Sequence, residues 1–278
     1  MRIGVSSYSY SRYMRETGAD LFDICRLAAN TGFDAIEFTT LGGDDRTELA
    51  TRLRTHCGEL GLEIAAYTVG ADLVAEDGEA AVSQLCREID IAAALGAPLV
   101  RHDVCFRLPE GVTWEDAIGI MVPRIRQVTE YAQEKGICTC TENHGYIFQD
   151  SARVRRLIEA VGNENYGWLV DMGNFMCVDE QPTEAVRVAA PYAFHVHAKD
   201  FYFYSADNMP DEGFPTRGGN RLVGTVVGRG VVPVSDCLAL LRRAGYDGVV
   251  SLEFEGGEDV LAAIDEGYRY LREQMSKL

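Results

Sequence analysis

The feature that most constrains the fold is an eightfold alternation of short apolar segments with amphipathic helical segments. The short segments are rich in β-branched residues, as buried strands are, and recur about every thirty residues along the 278-residue chain. They lie at 2–8, 34–40, 62–69, 98–104, 137–144, 166–174, 193–200 and 248–255. Strands that are mostly apolar on both faces and alternate with helices predict a parallel sheet covered by those helices.

Helical patterns fill the gaps between these strands, and most of them end at a glycine, a common helix stop. They lie at 19–32, 47–61, 79–97, 115–136, 151–163, 234–248 and 258–277. Pro123 lies inside the fourth pattern, and we expect it to kink that helix or to delay its start. We therefore predict an α/β protein in which eight strands and the helices between them form a single (β/α)8 TIM barrel over residues 1–278.

Two predicted connections are longer than this architecture requires. The tract 201–230 follows the seventh strand and begins with the aromatic run FYFY, and a shorter tract follows the third strand at 68–79. Long loops in compact domains are usually functional or disordered. The aromatic content of 201–230 favours a functional role.

Composition excludes several classes of partner. The net charge of −17 argues against nucleic acid or an anionic membrane as the main partner, although a pocket with its own cations could still bind a small anion. The eight cysteines form no CxxC pair. Without a recognisable export signal or membrane-length apolar run, we expect a cytoplasmic protein with reduced cysteines. The sequence leaves open whether the chain forms a homo-oligomer.

Polar side chains that a core strand should not carry cluster at the carboxyl ends of four consecutive strands, where barrel active sites lie. They are Glu142, Asn143 and His144, then Asp171 and Asn174, then His195, His197 and Lys199, and finally Ser251, Glu253 and Glu255. Because side chains alternate along a strand, the HxHxK spacing places its three basic groups on one face.

Taken one at a time, these residues also have ordinary structural interpretations. A single histidine on a strand can be a hydrogen-bonded core residue. Asp171 can serve a turn, and Asp200 can cap a local structure. Their convergence at one height favours a site, because crowded carboxylates in a barrel mouth are costly unless a cation lies among them.

Glu142, Asp171, His197 and Glu253 together offer three carboxylates and one imidazole. This donor set suits one divalent ion, with Mn²⁺ as our first expectation and Mg²⁺, Co²⁺, Fe²⁺ or Zn²⁺ as alternatives.

The same residues resemble the sugar phosphate isomerase/epimerase family, the xylose isomerase-like TIM barrels. In that family a glutamate, an aspartate, a histidine and a glutamate at the ends of strands 5 to 8 bind one divalent metal. The matching segments here are TENHG, VDMGN, HVHAKD and SLEFEG, which contain Glu142, Asp171, His197 and Glu253. The resemblance extends over essentially the whole chain.

The resemblance implies a divalent-metal-dependent isomerase or epimerase that acts on a sugar, a keto-sugar or an inosose. Glu142 and Glu253 would be the acid–base pair, transferring a proton through a metal-stabilised enediolate. Further substrate contacts are expected from eight residues near the strand ends: His144, Asn174, His195, Lys199, Arg101, His102, Glu37 and Tyr67. Alternation along strand 4 allows only one of Arg101 and His102 to face inward.

Two positions depart from the ketohexose 3-epimerases of that family. Those enzymes carry a histidine three residues after the metal-binding aspartate and an arginine six residues after the metal-binding histidine. This chain has Asn174 and Phe203 at those positions. A keto-glycoside, an inosose-like ring or a keto acid therefore fits as well as a free ketohexose, and no glycine-rich loop indicates a phosphate on the substrate.

Three alternative functions follow from the same residues. A lyase or dehydratase would use the same carbanion but expel a β leaving group. An endonuclease of this superfamily would need more metal ligands and a basic groove, which five histidines and a charge of −17 do not favour. A barrel that only binds sugar would not need two opposed glutamates on a metal.

Overall fold

A computed structural model describes residues 1–278, and eight parallel strands in it close into a barrel. The barrel strands are β1 (Arg2–Ser6), β2 (Ala35–Thr39), β3 (Glu63–Val69), β4 (Leu99–His102), β5 (Cys138–Glu142), β6 (Tyr166–Asp171), β7 (Ala193–Ala198) and β11 (Val249–Leu252). Each pairs with its sequence neighbour, and β11 closes the ring between β7 and β1. The predicted (β/α)8 TIM barrel is confirmed, with strands somewhat shorter than the sequence patterns suggested.

Helices surround the barrel. They are α1 (Ser11–Thr17), α2 (Leu21–Thr31), α3 (Arg46–Leu60), α4 (Gly78–Leu95), α5 (Trp114–Glu134), α6 (Ser151–Val161), α7 (Pro182–Ala189), α8 (Val234–Arg243) and α9 (Val260–Met275). Short 3-10 helices lie at Ser7–Tyr10, Asn174–Val178 and Ala190–Tyr192. No helix is both long and apolar enough to cross a membrane.

Two details of the helices differ from the sequence-based predictions. α5 begins at Trp114 and runs unbroken through Pro123, so the proline does not delay its start. Because proline has no N–H group, the carbonyl oxygen of Gly119 lacks the helical hydrogen bond that residue 123 would otherwise donate. Gly119 and Pro123 are both exposed, so water can donate to that carbonyl oxygen instead. The eight-residue α7 was missed because it is short and begins directly at Pro182.

The tract after β7 is a small antiparallel sheet rather than a long loop. It contains β8 (Asp200–Tyr204), β9 (Phe214–Pro215) and β10 (Arg221–Thr225), with β10 in the middle. Asp200 anchors it, since its carboxylate accepts hydrogen bonds from the backbone N–H groups of Phe201, Gly228, Gly230 and Val232. The structural interpretation of Asp200 is therefore confirmed.

An apolar cluster of Ala66, Leu99, Cys140 and Leu169 lies apart from the main hydrophobic core. Leu99, Cys140 and Leu169 each precede a polar residue by two positions, namely Arg101, Glu142 and Asp171. Side chains two apart on a strand share a face, so these apolar residues lie below the polar ones inside the barrel. On the side of β4, β5 and β6, the polar site therefore lies above a layer of apolar side chains.

Candidate metal centre

Four predicted metal ligands converge at the mouth of the barrel. Glu142 ends β5, Asp171 ends β6, His197 lies near the end of β7, and Glu253 directly follows β11. One ligand atom from each lies within 4.8 Å of the others. From His197 Nδ1 the distances are 3.4 Å to Glu253 Oε2, 3.8 Å to Asp171 Oδ2 and 3.9 Å to Glu142 Oε1.

The turn after β6 orients Asp171. Its Oδ1 accepts hydrogen bonds from the N–H groups of Gly173 and Asn174, each at 2.8 Å, which leaves Oδ2 directed to the cluster. A side chain at position 173 would place its Cβ 2.9 Å from the carbonyl oxygen of Lys199. Only glycine allows this turn to pack so closely against the segment that follows β7.

Two neighbours hold Glu142. The Arg101 guanidinium lies 2.7 Å from Glu142 Oε2, and the Asn174 side-chain amide donates to Glu142 Oε1 at 2.8 Å. Burial would lower the pKa of Arg101, but the carboxylates of Asp103 and Glu142 outweigh burial and raise it, so the guanidinium stays charged.

Lys199 brings a second cation into the pocket. It is almost fully buried, and its Nζ lies 2.6 Å from Glu253 Oε2 and 3.4 Å from Asp171 Oδ2. Burial would lower the pKa of Lys199, but the surrounding carboxylates, Glu253 first, raise it well above its usual range. Burial would likewise raise the pKa of Glu253, but Lys199 and His197 hold it well below its usual range.

These residues fit a divalent cation. Asp171 Oδ2 and His197 Nδ1 are buried without a hydrogen-bond partner, and Glu253 Oε2 is paired with the Lys199 ammonium, 2.6 Å away. Burial raises the pKa of Asp171 to about 6, with Glu142 and Glu253 adding to the shift against the attraction of Lys199. Two atoms that each bind one ion at about 2.1 Å lie at most about 4.2 Å apart, and the three distances from His197 fall within that limit.

Glu37 and His195 do not line the pocket at the mouth of the barrel. The Glu37 side chain has no exposed surface, and its Oε2 lies 2.7 Å from His195 Nε2. The same carboxylate accepts from His197 Nε2 at 2.8 Å and 2.9 Å. The expectation that Glu37 contacts sugar hydroxyl groups is therefore wrong. His195 likewise lies one pleat below His197, facing Glu37 instead of the pocket.

Tyr67 and His102 also lie away from the pocket, which corrects their expected substrate contacts. Tyr67 points outward between the strands and the helices, where its hydroxyl group donates to Glu88 at 2.9 Å. His102 packs against Tyr166 outside the barrel, and its Nδ1 lies 2.9 Å from the carbonyl oxygen of Asp103. Arg101 is thus the inward residue of the pair in strand 4.

His144 lies at the rim, where its side chain is 45% exposed. Its Nδ1 lies 2.9 Å from Asp103 Oδ1, and Asp103 Oδ2 accepts a hydrogen bond from Arg101 at 2.9 Å. This bridging role of Asp103 was not predicted from the sequence, although the residue directly follows Arg101 and His102. Proximity to a strand end was the only available signal.

Asn143 has a structural role that strand alternation predicts. Its side chain points away from Glu142 and joins β5 to β6, where Asn143 Oδ1 accepts from the N–H of Asp171 at 3.0 Å and from Trp168 Nε1 at 3.1 Å. Its amide donates to the carbonyl oxygen of Asp171 at 2.9 Å. Asn143 thus fixes the height at which Asp171 leaves its strand.

With this fold and this donor set established, the family is decided by a sequence match over most of the chain. The family model described as "Xylose isomerase-like TIM barrel" matches residues 25–274. The chain belongs to this family. The resemblance inferred from the four ligand segments is therefore confirmed at the level of the family. No curated protein matches the chain significantly.

Solved structures of xylose isomerase-like and related barrels match the whole chain at low sequence identity. The probable 3-DHS dehydratase AsbF of Bacillus anthracis is 18% identical with a TM-score of 0.77, and the match covers 98% of this chain and 99% of that one. The IolI protein with a bound zinc atom is 18% identical, with a TM-score of 0.77 and coverage of 100% and 99%. D-psicose 3-epimerase of Clostridium cellulolyticum H10, solved with D-tagatose, is 16% identical, with a TM-score of 0.75 and coverage of 98% and 99%. At these identities the matches establish the fold.

Proposed function

We propose that this chain is a divalent-metal-dependent isomerase or epimerase of a sugar, keto-sugar or inosose. One observation carries the proposal. Two glutamates, the buried Glu142 and the partly buried Glu253, flank an aspartate and a histidine whose ligand atoms have no hydrogen-bond partner in the chain. A barrel that only bound sugar would not need this many buried carboxylates around one point.

The four residues would hold the cation, and we expect Mn²⁺ in preference to Mg²⁺, Co²⁺, Fe²⁺ or Zn²⁺ because oxygen donors dominate the set. When bound there, a divalent cation would polarise a substrate carbonyl and stabilise the negative charge that develops when the neighbouring carbon loses its proton. The IolI barrel contains zinc, so the identity of the ion needs a direct measurement.

Glu142 and Glu253 would exchange the proton. They leave strands β5 and β11, which β6 and β7 separate, so they approach a substrate from different sides. One carboxylate takes the proton next to the carbonyl, and the other returns one. Return to the opposite face of the same carbon gives an epimer, and delivery to the neighbouring carbon gives an aldose–ketose isomer.

The other polar groups of the pocket would position and shield the reaction. Arg101 and Asn174 hold Glu142 from two directions. Lys199 lies within reach of a substrate oxygen beside Glu253. With the cation bound, the ion, Arg101 and Lys199 would place positive charge next to the substrate oxygens. These groups would stabilise the negative charge that develops on the substrate during the reaction.

Solvent-deuterium incorporation tests the proposal. Ketoses, keto-glycosides and inososes would be incubated in D₂O with the Mn²⁺-loaded protein, and exchange at the carbon next to the carbonyl would be followed by NMR. We expect Glu142→Gln and Glu253→Gln each to slow exchange by about 10²–10⁴-fold, and a chelator to stop it. Glu88→Gln is the matched control, because Glu88 is a buried carboxylate outside the barrel. Wild-type exchange in either pocket variant would refute the acid–base assignment.

The position of Lys199 favours one second candidate, a β-elimination. A glutamate would remove the α-proton and the bond from the β-carbon to oxygen would break. The departing oxygen would then take a proton from the Lys199 ammonium, releasing water or an alcohol and leaving an unsaturated ketone. Product analysis separates the two reactions, because epimerisation releases nothing. Lys199→Gln should impair release of water or alcohol more strongly than deuterium exchange if elimination is the natural reaction.

A further inference from the structure

A second polar cluster lies one pleat deeper in the barrel and shares His197 with the metal centre. Its members are Glu37 from β2, His195 and His197 from β7, and Ser251 from β11. All four are at most 2% exposed. We call this group the floor cluster.

Hydrogen bonds connect the floor cluster from end to end. Glu37 lies between the two imidazoles, with Oε2 2.7 Å from His195 Nε2 and Oε1 2.8 Å from His197 Nε2. His195 Nε2 also lies 3.0 Å from Ser251 Oγ. An ionised carboxylate can only accept hydrogen bonds. Both imidazoles must therefore carry their hydrogen on Nε2.

This arrangement determines which nitrogen His197 presents to the metal centre. With Nε2–H bound to Glu37, the remaining ring nitrogen is Nδ1, which faces Glu142, Asp171 and Glu253 and has no hydrogen-bond partner. A metal-binding histidine commonly has its second nitrogen held by a carboxylate, which fixes the ring and makes it a better ligand.

We propose that Glu37 is a positioning residue for the metal centre, holding His197 in the tautomer and orientation in which Nδ1 is the ligand atom, and that His195 in turn holds Glu37. The inference rests on the metal site of the proposed function. It assigns to Glu37 and His195 a role that does not involve contact with substrate.

The barrel leaves space for this cluster by using small residues beside it. Gly4 of β1 is next to Ser251 in the sheet. A Cβ at position 4 would lie 2.7 Å from Val249 Cγ1 and 3.0 Å from Ser251 Oγ. The close packing of β1 against β11 keeps Ser251 at hydrogen-bond distance from His195, so the floor cluster is held from several strands.

Cobalt binding tests the proposal without any need for activity. Glu37→Gln keeps the shape of the side chain, but its amide can accept from only one imidazole and presents N–H groups to the other. We expect the Kd for Co²⁺ to rise by about 10–100-fold and the visible absorption bands of bound Co²⁺ to change. The matched control is Glu88→Gln, which alters a buried carboxylate held by Arg46 and Tyr67 outside the barrel and should leave both readouts unchanged.

A pair of substitutions at His195 separates positioning from general destabilisation. His195→Gln retains a donor that can reach Glu37, and we expect it to keep Co²⁺ affinity close to that of the wild type. His195→Leu removes the donor and should weaken the affinity for Co²⁺, because His195 would no longer fix the Glu37 carboxylate that holds His197. Equal affinities in the two variants would count against a role for His195.

The tautomer itself can be observed by ¹⁵N NMR of histidine-labelled protein loaded with diamagnetic Zn²⁺. We expect His197 to show a slowly exchanging Nε2–H and a metal-shifted Nδ1 signal. The proposal is overturned if His197 carries its hydrogen on Nδ1, or if Glu37→Gln binds Co²⁺ with wild-type affinity and spectrum. Failure of the proposed function would look different, since a loaded wild-type protein would then bind metal normally and exchange no substrate proton.

Discussion

Two clusters in the barrel share His197 but differ in how their polar atoms are satisfied. In the floor cluster the carboxylate of Glu37 accepts from both His195 and His197. In the metal centre above it, Asp171 Oδ2 and His197 Nδ1 have no hydrogen-bond partner. Both clusters are buried, so burial alone does not distinguish a structural network from a ligand site.

The pKa values show the same contrast. Burial would raise the pKa of Glu37, but His197 and His195 outweigh it and lower the pKa far below the usual range. Burial raises the pKa of Asp171 to about 6 despite the nearby Lys199. The charge of Glu37 is thus compensated inside the protein, whereas the charge of Asp171 is compensated only in part, which leaves Asp171 available to an added cation.

The largest expected effect comes from removing the centre of the floor cluster. Glu37→Leu leaves His197 Nε2 buried without an acceptor and His195 Nε2 with only Ser251 Oγ, and losing one partner of a buried charged pair costs about 3–5 kcal/mol. Urea unfolding of the metal-free protein should show a loss of that size. A loss below about 1 kcal/mol would mean that the floor cluster is not the satisfied network that the hydrogen bonds indicate.

The next largest effect concerns the metal centre. Asp171→Asn keeps the hydrogen bonds that Oδ1 accepts from Gly173 and Asn174 but removes the anionic ligand. Loss of a direct ligand should cost more than the 10–100-fold typical of a supporting residue, so we expect the Kd for Mn²⁺ to rise by more than about 100-fold. Titration calorimetry would measure it, with Asp90→Asn, a surface carboxylate beside Tyr131 and Lys135, as the control.

If Asp171→Asn binds Mn²⁺ as tightly as Asp90→Asn does, the unpartnered atoms do not form a metal site. Unpartnered polar atoms would then not distinguish a ligand site from the floor cluster.

Sequence patterns were sufficient for the barrel and for the convergence of its four candidate ligands. Eight apolar strands alternating with helices admit few other architectures, and the end of each parallel strand lies at the same rim. The ligands Glu142, Asp171 and His197 could therefore be placed at one height without knowledge of the structure.

The pairing register of the strands, and which side chains point into the barrel, were harder to predict. A register shift between Ile36 and Glu37 alters how β2 pairs with β3, and Tyr67 on β3 faces the helices. For Arg101 and His102 the alternation fixed only that one is inward, and the choice depends on long-range packing against Tyr166. Counting positions along a single strand cannot provide this information.

The role of Glu37 needed contacts between distant segments. Glu37 and His195 are 158 residues apart in sequence, and nothing near position 37 indicates that a histidine faces it. The small sheet at 200–225 was hidden for a similar reason, because its strands are recognisable only once β8 and β10 are paired.

A smaller effect tests whether an isolated unpartnered atom behaves like the metal centre. His102 Nε2 is buried without a partner, but no carboxylate cluster surrounds it. Burial lowers the pKa of His102 to about 4, so the folded protein binds fewer protons than the unfolded chain between about pH 4 and 6.5. Stability is therefore lost as the pH falls through that window.

The variant His102→Gln removes this titration while keeping a donor near the Asp103 carbonyl. Between pH 7 and pH 5 the wild type should lose about 2 kcal/mol more stability than His102→Gln, as measured by urea unfolding at each pH. Parallel pH profiles would show that His102 is not the buried neutral imidazole described here. Added Mn²⁺ should leave the difference unchanged, in contrast to its effect at Asp171.

The smallest effect returns to Asp171 in the absence of metal, where it distinguishes the two clusters most directly. Its folded-state pKa of about 6 lies above that of the unfolded chain, so stability falls as the pH rises from about 4 to about 6 and the full cost of the ionised form applies above that window. At pH 8 in a chelator, Asp171→Asn should therefore be more stable than the wild type, by on the order of 1 kcal/mol. The gain is small because the new amide buries donors and gives up the attraction of Lys199, 3.4 Å away.

Thermal unfolding measures this difference in stability, and excess Mn²⁺ should make the wild type the more stable of the two by binding only to it. A variant less stable than the wild type in chelator would mean that Lys199 already compensates Asp171. The metal centre would then be a satisfied ion network like the floor cluster beneath it.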